Sequence, residues 1–142
     1  MKKQVLILIL ILGFGTFSFA QCDKNIRLIS SKTIYLDSNM NVERVVEEKS
    51  VIEINNKNLT IIPGNEDHKM TGVIVSETCK WMQPFKEGKT IIRSTIANPR
   101  GEAKNVTLTI EGKEGKVSLL FEMDDQPGKK IKVIADIFEG YK

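Results

Sequence analysis

The most restrictive feature of this chain is a period of two. Val106, Leu108 and Ile110 alternate with Thr107 and Thr109, and Val117, Leu119, Phe121 and Met123 alternate with Ser118 and Glu122. Ile131, Val133, Ala135 and Ile137 stand opposite Lys132 and Asp136 in the same way. Successive side chains reach opposite faces only in an extended strand, so each run can bury one face and wet the other. Shorter β-branched runs precede them at residues 26–29, 33–36, 51–54, 59–62, 70–76 and 90–97.

The segments between these runs have turn chemistry. Asn55-Asn56-Lys57-Asn58, Asn98-Pro99-Arg100-Gly101, Glu111-Gly112-Lys113-Glu114-Gly115 and Asp124-Asp125-Gln126-Pro127-Gly128 each join two runs at hairpin distance. Connections this short force antiparallel neighbours, because a parallel crossover takes about a dozen residues. Eight or nine strands in chain order predict an all-β meander. Its edges must be hidden, by closing as a barrel-like sheet, which we favour, or by folding into a β-sandwich. The one helical reading falls on residues 42–49, where Val42, Val45, Val46 and Lys49 have helical spacing. The valines there also suit a strand containing residues 43–46.

The N-terminus follows different rules. Lys2 and Lys3 precede the apolar run Val5 to Leu12, and the segment ends Ser18-Phe19-Ala20. This is the pattern of a secretory signal removed between Ala20 and Gln21, leaving residues 21–142 as a single all-β domain. The alternative, a membrane anchor, has only sixteen residues, reaching about 24 Å along a helix against a hydrocarbon layer of roughly 30 Å. No integral membrane segment is therefore expected after removal. The destination is secretion or the periplasm; lipid attachment at Cys22 is the weaker option, because Gln21 is not the small residue such signals carry.

Removal also changes the charge. Lys2 and Lys3 leave with the signal, so 19 basic side chains remain against 18 acidic ones, a net of +1. Charges of both signs interleave along the chain, which argues against nucleic acid as a partner. Tyr35, Trp81, Phe85, Phe121, Phe138 and Tyr141 are too few for a base-stacking platform.

Cys22 and Cys79 form an even pair in an exported chain, so a disulfide is expected. It would close a loop of about 58 residues, worth roughly 4 kcal/mol of chain entropy. A reactive thiol would want an electropositive setting, for which Lys80 beside Cys79 is thin support.

Most chemical constellations fail on inspection. His68, the single histidine, lies in the polar stretch Gly64-Asn65-Glu66-Asp67-His68-Lys69, where adjacent residues converge poorly on one ion. Asp37, Asn39 and Asn41, with Glu48 eleven residues after Asp37, imitate a calcium loop. The glycine such a loop needs at its sixth position is Val42 here, and an Asx-rich turn gives the same letters. Gly88-Lys89-Thr90 imitates the end of a phosphate loop, but Gln83 replaces its first glycine and Thr90 opens a strand. Glu53, Glu122 and Asp136 lie within strands, where an inward acid could serve carboxylate hydrolysis; an alternating strand more simply turns them to solvent. Ser31-Lys32 lacks the strained turn of an activated serine. The sequons at Asn58 and Asn105 depend on a host that would use them. No metal or cofactor is called for.

The segment Cys79 to Phe85 gathers the only tryptophan with Met82, Pro84 and Phe85. Trp81, Met82 and Phe85 are the candidate ligand or partner residues, lining a barrel mouth; the structural alternative is a core plug held by the disulfide. In overall build the chain resembles small secreted β-barrels of the lipocalin-like kind. The Gly-x-Trp that marks lipocalins near their first strand is absent, Trp81 being mid-chain, so no residue role is carried over. Three functions are then in play. The first is an exported, non-enzymatic β-domain binding a protein or cell-envelope partner. The second is a carrier of a small apolar ligand, and the third a carboxylate-dependent hydrolase. The inward positions carry mostly Val, Ile, Leu and Phe, which favours a filled interior and the first reading.

Overall fold

The computed structural model describes Cys22 and residues 25–141. The apolar segment 1–20 and its expected cleavage point lie outside those residues. Nine strands follow one another: β1 (Asn25–Leu36), β2 (Val42–Ile54), β3 (Asn58–Pro63), β4 (Met70–Gln83), β5 (Glu87–Ala97), β6 (Ala103–Lys113), β7 (Lys116–Met123), β8 (Lys130–Ile134) and β9 (Ile137–Tyr141). Each pairs antiparallel with the next as far as β8, and β1 returns to pair with β2 on one side and with β8 and β9 on the other. The sheet therefore closes as a barrel of eight strands with β9 added, and the sandwich alternative does not apply.

β9 extends β8 rather than starting a new direction. Val133 lies opposite Thr33 and Ile137 opposite Ile29, so the register against β1 is the same on both sides of the interruption. At the break itself, the Ala135 amide donates to Val117 of β7 at 2.9 Å, while the Asp136 amide donates to Ile29 of β1 at 2.8 Å. The pair thus binds both neighbours where the ladder is cut, and no buried amide is stranded.

Residues 42–49 are strand, not helix. Thr33, Ile34 and Tyr35 of β1 pair with Val46, Val45 and Arg44, so β1 supplies a ladder that a weak helical spacing cannot match. β1 itself runs unbroken through two stretches that read as separate. Its register against β2 shifts between Ser30 and Lys32, where the Ser30 hydroxyl donates to the Lys32 carbonyl at 2.8 Å and accepts from the Lys32 amide at 3.3 Å. The bulge changes which parity faces inward, from Ile26, Leu28 and Ser30 to Thr33. A second shift, between Ile74 and Ser76, does the same in β4.

The interior is apolar. Leu28, Leu59, Ile92, Leu108 and Ile110 belong to one continuous cluster that spans the barrel. The outer face carries ion pairs between residues directly opposite each other: Arg27 with Glu53 at 3.6 Å, Lys89 with Glu111 at 3.6 Å, and Lys130 with Glu122 at 3.2 Å. Such exposed pairs contribute only tenths of a kcal/mol, about 0.2–1 each. Their value here is diagnostic, since a membrane-spanning barrel turns its apolar positions outward and its polar ones inward. Among the described residues no helix is long and apolar enough to cross a membrane.

The β1–β2 connection is the Asx-rich turn. Asp37 accepts from the Asn39 and Asn41 amides, each at 2.9 Å, and from the Asn41 side-chain amide at 3.2 Å. The Asn41 backbone amide does most to hold the Asp37 carboxyl below its ordinary value.

Candidate functional site

In a meander, alternate connections fall at the same end of the barrel. One end therefore holds the β2–β3, β4–β5 and β6–β7 turns and the chain's entry at Asn25; the other holds the β1–β2, β3–β4, β5–β6 and β7–β8 connections.

The first end is sealed, and two of the three candidate residues seal it. Trp81 is 3% exposed. Its indole N–H donates to the Thr90 hydroxyl at 2.7 Å, and that hydroxyl lies 3.4 Å from the Cys79 sulfur. The Phe138 ring stands 5.7 Å from Trp81 and 5.3 Å from Phe85, which meets it edge-on. Gly112 admits the indole: a Cβ there would lie 2.6 Å from Cζ3 of Trp81. Cys22 is disulfide-bonded to Cys79, fastening the incoming chain to the same plug. Met82 does not join this cluster; it is 80% exposed on the outside.

The second end is open. A small cavity of about 70 Å³ lies inside the barrel, lined by Ile52, Ile61, Leu119, Phe121, Ile131 and Val133, with Thr33 and Ser50 in its wall. Above it is a solvent-facing cleft of about 570 Å³. Tyr35, Glu48, Pro63 and Met70 line both spaces and so form the throat between them. These residues come from the end of β1, from β2, from the end of β3 and from the start of β4.

Local chemistry shapes the rim. Gly64 has φ +78 and donates its amide to the Lys49 carbonyl at 3.0 Å. A Cβ at this position would sit 3.1 Å from a Glu48 carboxylate oxygen, so glycine lets the chain curl over Glu48. A single 3-10 turn follows at Glu66–His68, capped by the Asn65 side chain, which accepts from the Asp67 amide. Asp67 and His68 line the cleft from this turn, facing Asn98, Pro99 and Arg100 of the β5–β6 connection. Asn98 organises that connection by accepting from the Arg100 amide at 2.9 Å and the Glu102 amide at 3.0 Å.

Tyr35 also carries the Arg44 guanidinium 4.1 Å above its ring. Glu48, Asp67 and Arg100 make no ion pair among the described residues. Among the described residues, no three His, Cys, Asp or Glu side chains gather as a metal-ligating group.

The other sequence candidates are placed elsewhere. Glu53 and Glu122 face outward in ion pairs, and Asp136 is exposed in the β8–β9 break. Gly88, Lys89 and Thr90 are residues of β5. Glu48, considered only as a calcium ligand, turns out to be the carboxylate of the throat. Tyr35, Pro63, Met70 and Arg100 carried no motif; the rule that alternate meander turns share an end is the signal that would have grouped residues 64–69 with 98–101. Comparison of the chain with protein-family models, with characterised proteins and with solved structures finds no match.

Proposed function

We propose that this chain is an exported, non-enzymatic barrel that binds a partner protein, in the periplasm or outside the cell, through the loops around its open mouth. The observation that carries the reading is where the space lies. The interior cavity of about 70 Å³ is far below the roughly 300–1,000 Å³ of small-molecule pockets, so the barrel itself has no room for a carried ligand, and the larger space of about 570 Å³ is a solvent-facing cleft between loops. The outward cross-strand ion pairs and the disulfide fit a domain working in an oxidising aqueous compartment.

A second reading, a carrier of a small apolar ligand, draws support from the throat: Tyr35, Glu48, Pro63 and Met70 connect the cleft to an apolar floor. The two readings separate in the producing cell. A photo-crosslinking residue placed at Pro99, on the mouth, should give a discrete adduct with a second polypeptide, while one at Met82 should give none. Adducts from Met82 alone, or from neither site, would count against the partner reading.

A further inference from the structure

We infer that the mouth receives one aliphatic side chain of three or four carbons, presented by a partner polypeptide beside a cationic residue. The inference rests on the partner reading above and names the chemistry the partner must carry.

Size comes first. A cavity of about 150 Å³ accommodates a benzene ring, so the floor cavity of about 70 Å³ has room for roughly half of one. That matches the side chain of Val, Leu or Ile. The wall is also chemically selective. Two of its hydroxyls, Thr33 and Ser50, lie 3.4 Å apart and bond each other, Tyr35 and Glu48 stand at its throat, and the rest of the wall is hydrocarbon. A polar group lowered here would lose most of its water and find only the Thr33–Ser50 pair to bond, a loss an aliphatic group does not suffer.

Charge decides what stands beside the aliphatic group. Glu48 lines both the socket and the cleft, so it borders whatever flanks an inserted side chain. Around the throat stand two carboxylates, Glu48 and Asp67, and two guanidiniums, Arg100 in the cleft lining and Arg44 stacked on the Tyr35 ring; among the described residues neither carboxylate is in an ion pair. A lysine or arginine next to the inserted residue satisfies Glu48; an acid there meets like charge. The cleft above is wide enough for the backbone of a peptide crossing the throat. A fatty acid fits poorly on both counts, because its carboxylate would stop beside Glu48 and its chain outruns the socket.

The methionines provide the readout. Met70 lines the throat, Met82 is exposed on the outside, and Met123 packs against the core. Protein labelled at its methionine methyl groups is titrated with blocked Lys-Leu-Lys peptide and followed by NMR. The Met70 signal should move saturably while Met82 stays still. Blocked Glu-Leu-Glu should bind at least about tenfold more weakly, and Lys-Asn-Lys should leave Met70 unmoved. Glu48→Gln should weaken Lys-Leu-Lys binding by about tenfold, with the Met82 and Met123 signals unchanged to show an intact fold.

An unmoved Met70, equal binding of Glu-Leu-Glu, or a neutral Glu48→Gln overturns the inference. So does a Met70 shift produced by hexanoate or by anionic lipid vesicles but not by the peptide, which would point to a lipid. A failed titration alongside a persistent Pro99 adduct defeats this inference and leaves the partner reading standing; loss of the adduct as well defeats both.

Discussion

The two ends of the barrel solve the same geometrical problem in opposite ways. At the sealed end, polar groups are consumed internally: the Trp81 N–H is taken by Thr90, the Thr90 hydroxyl lies against Cys79, and Cys79 holds Cys22. Glycine at position 112 brings the backbone against the indole, and Phe138 and Phe85 complete the stack. At the mouth, Glu48, Asp67 and Arg100 have no ion-pair partner among the described residues, and they border a cleft over a small apolar floor. A filled, fully bonded end stabilises the fold. An end with unspent carboxylates adds little to stability and is where selection for binding can act.

That contrast predicts a gradient of effects. Trp81→Ala should cost the most, about 3–5 kcal/mol in a denaturant titration, since it empties the plug and removes the N–H that the Thr90 hydroxyl accepts. A cost below about 1 kcal/mol would mean the sealed end is not structural. Breaking the disulfide with Cys22→Ser and Cys79→Ser comes next. The two residues are 57 apart in sequence, so roughly 2–4 kcal/mol is expected, visible as a lower midpoint equal to that of the reduced wild type. Gly112→Val should follow at about 1–3 kcal/mol, because the added carbons enter the indole's space. The wild-type tryptophan should emit at short wavelength and resist acrylamide, and this variant should lose part of both properties.

At the mouth, Glu48→Gln and Arg100→Gln should each stay within about 0.5 kcal/mol of wild type. A larger loss from either would show that the mouth is also built for stability. The smallest effect is expected at Asp37. Its folded carboxyl is held below the unfolded value of 3.8 by the Asn41 and Asn39 amides. The stabilisation is therefore complete above that pH and fades as pH falls through the folded value. Asp37→Ala should flatten this acid limb in Tm measured from pH 5 down to pH 2, and an unchanged slope would contradict it.

Much of the fold was legible because β6, β7 and the run through β8 into β9 keep the period of two with turn residues between them. Legibility failed where the parity slips. The Ser30–Lys32 bulge split β1 into two readings, and the Ile74–Ser76 shift hid the second half of β4. Residues 42–49 had a helical spacing that only pairing with β1 overrides. The disulfide followed from compartment logic alone. Trp81 and Phe85 were recognisable as a cluster, but whether they lined a mouth or filled a plug depended on which end of the barrel they occupied. The throat left no local trace, because Tyr35, Glu48, Pro63 and Met70 meet only once the four strands that carry them are aligned.

The central claim is that the barrel carries no small molecule inside and meets a partner at its mouth. Native mass spectrometry of the protein purified from the cells that export it, compared with the denatured mass, tests this most directly. Equal masses, with Trp81 shielded, are the result the account predicts. A discrete excess in the native mass, lost on denaturation, would mean a small molecule rides inside the barrel and would contradict it.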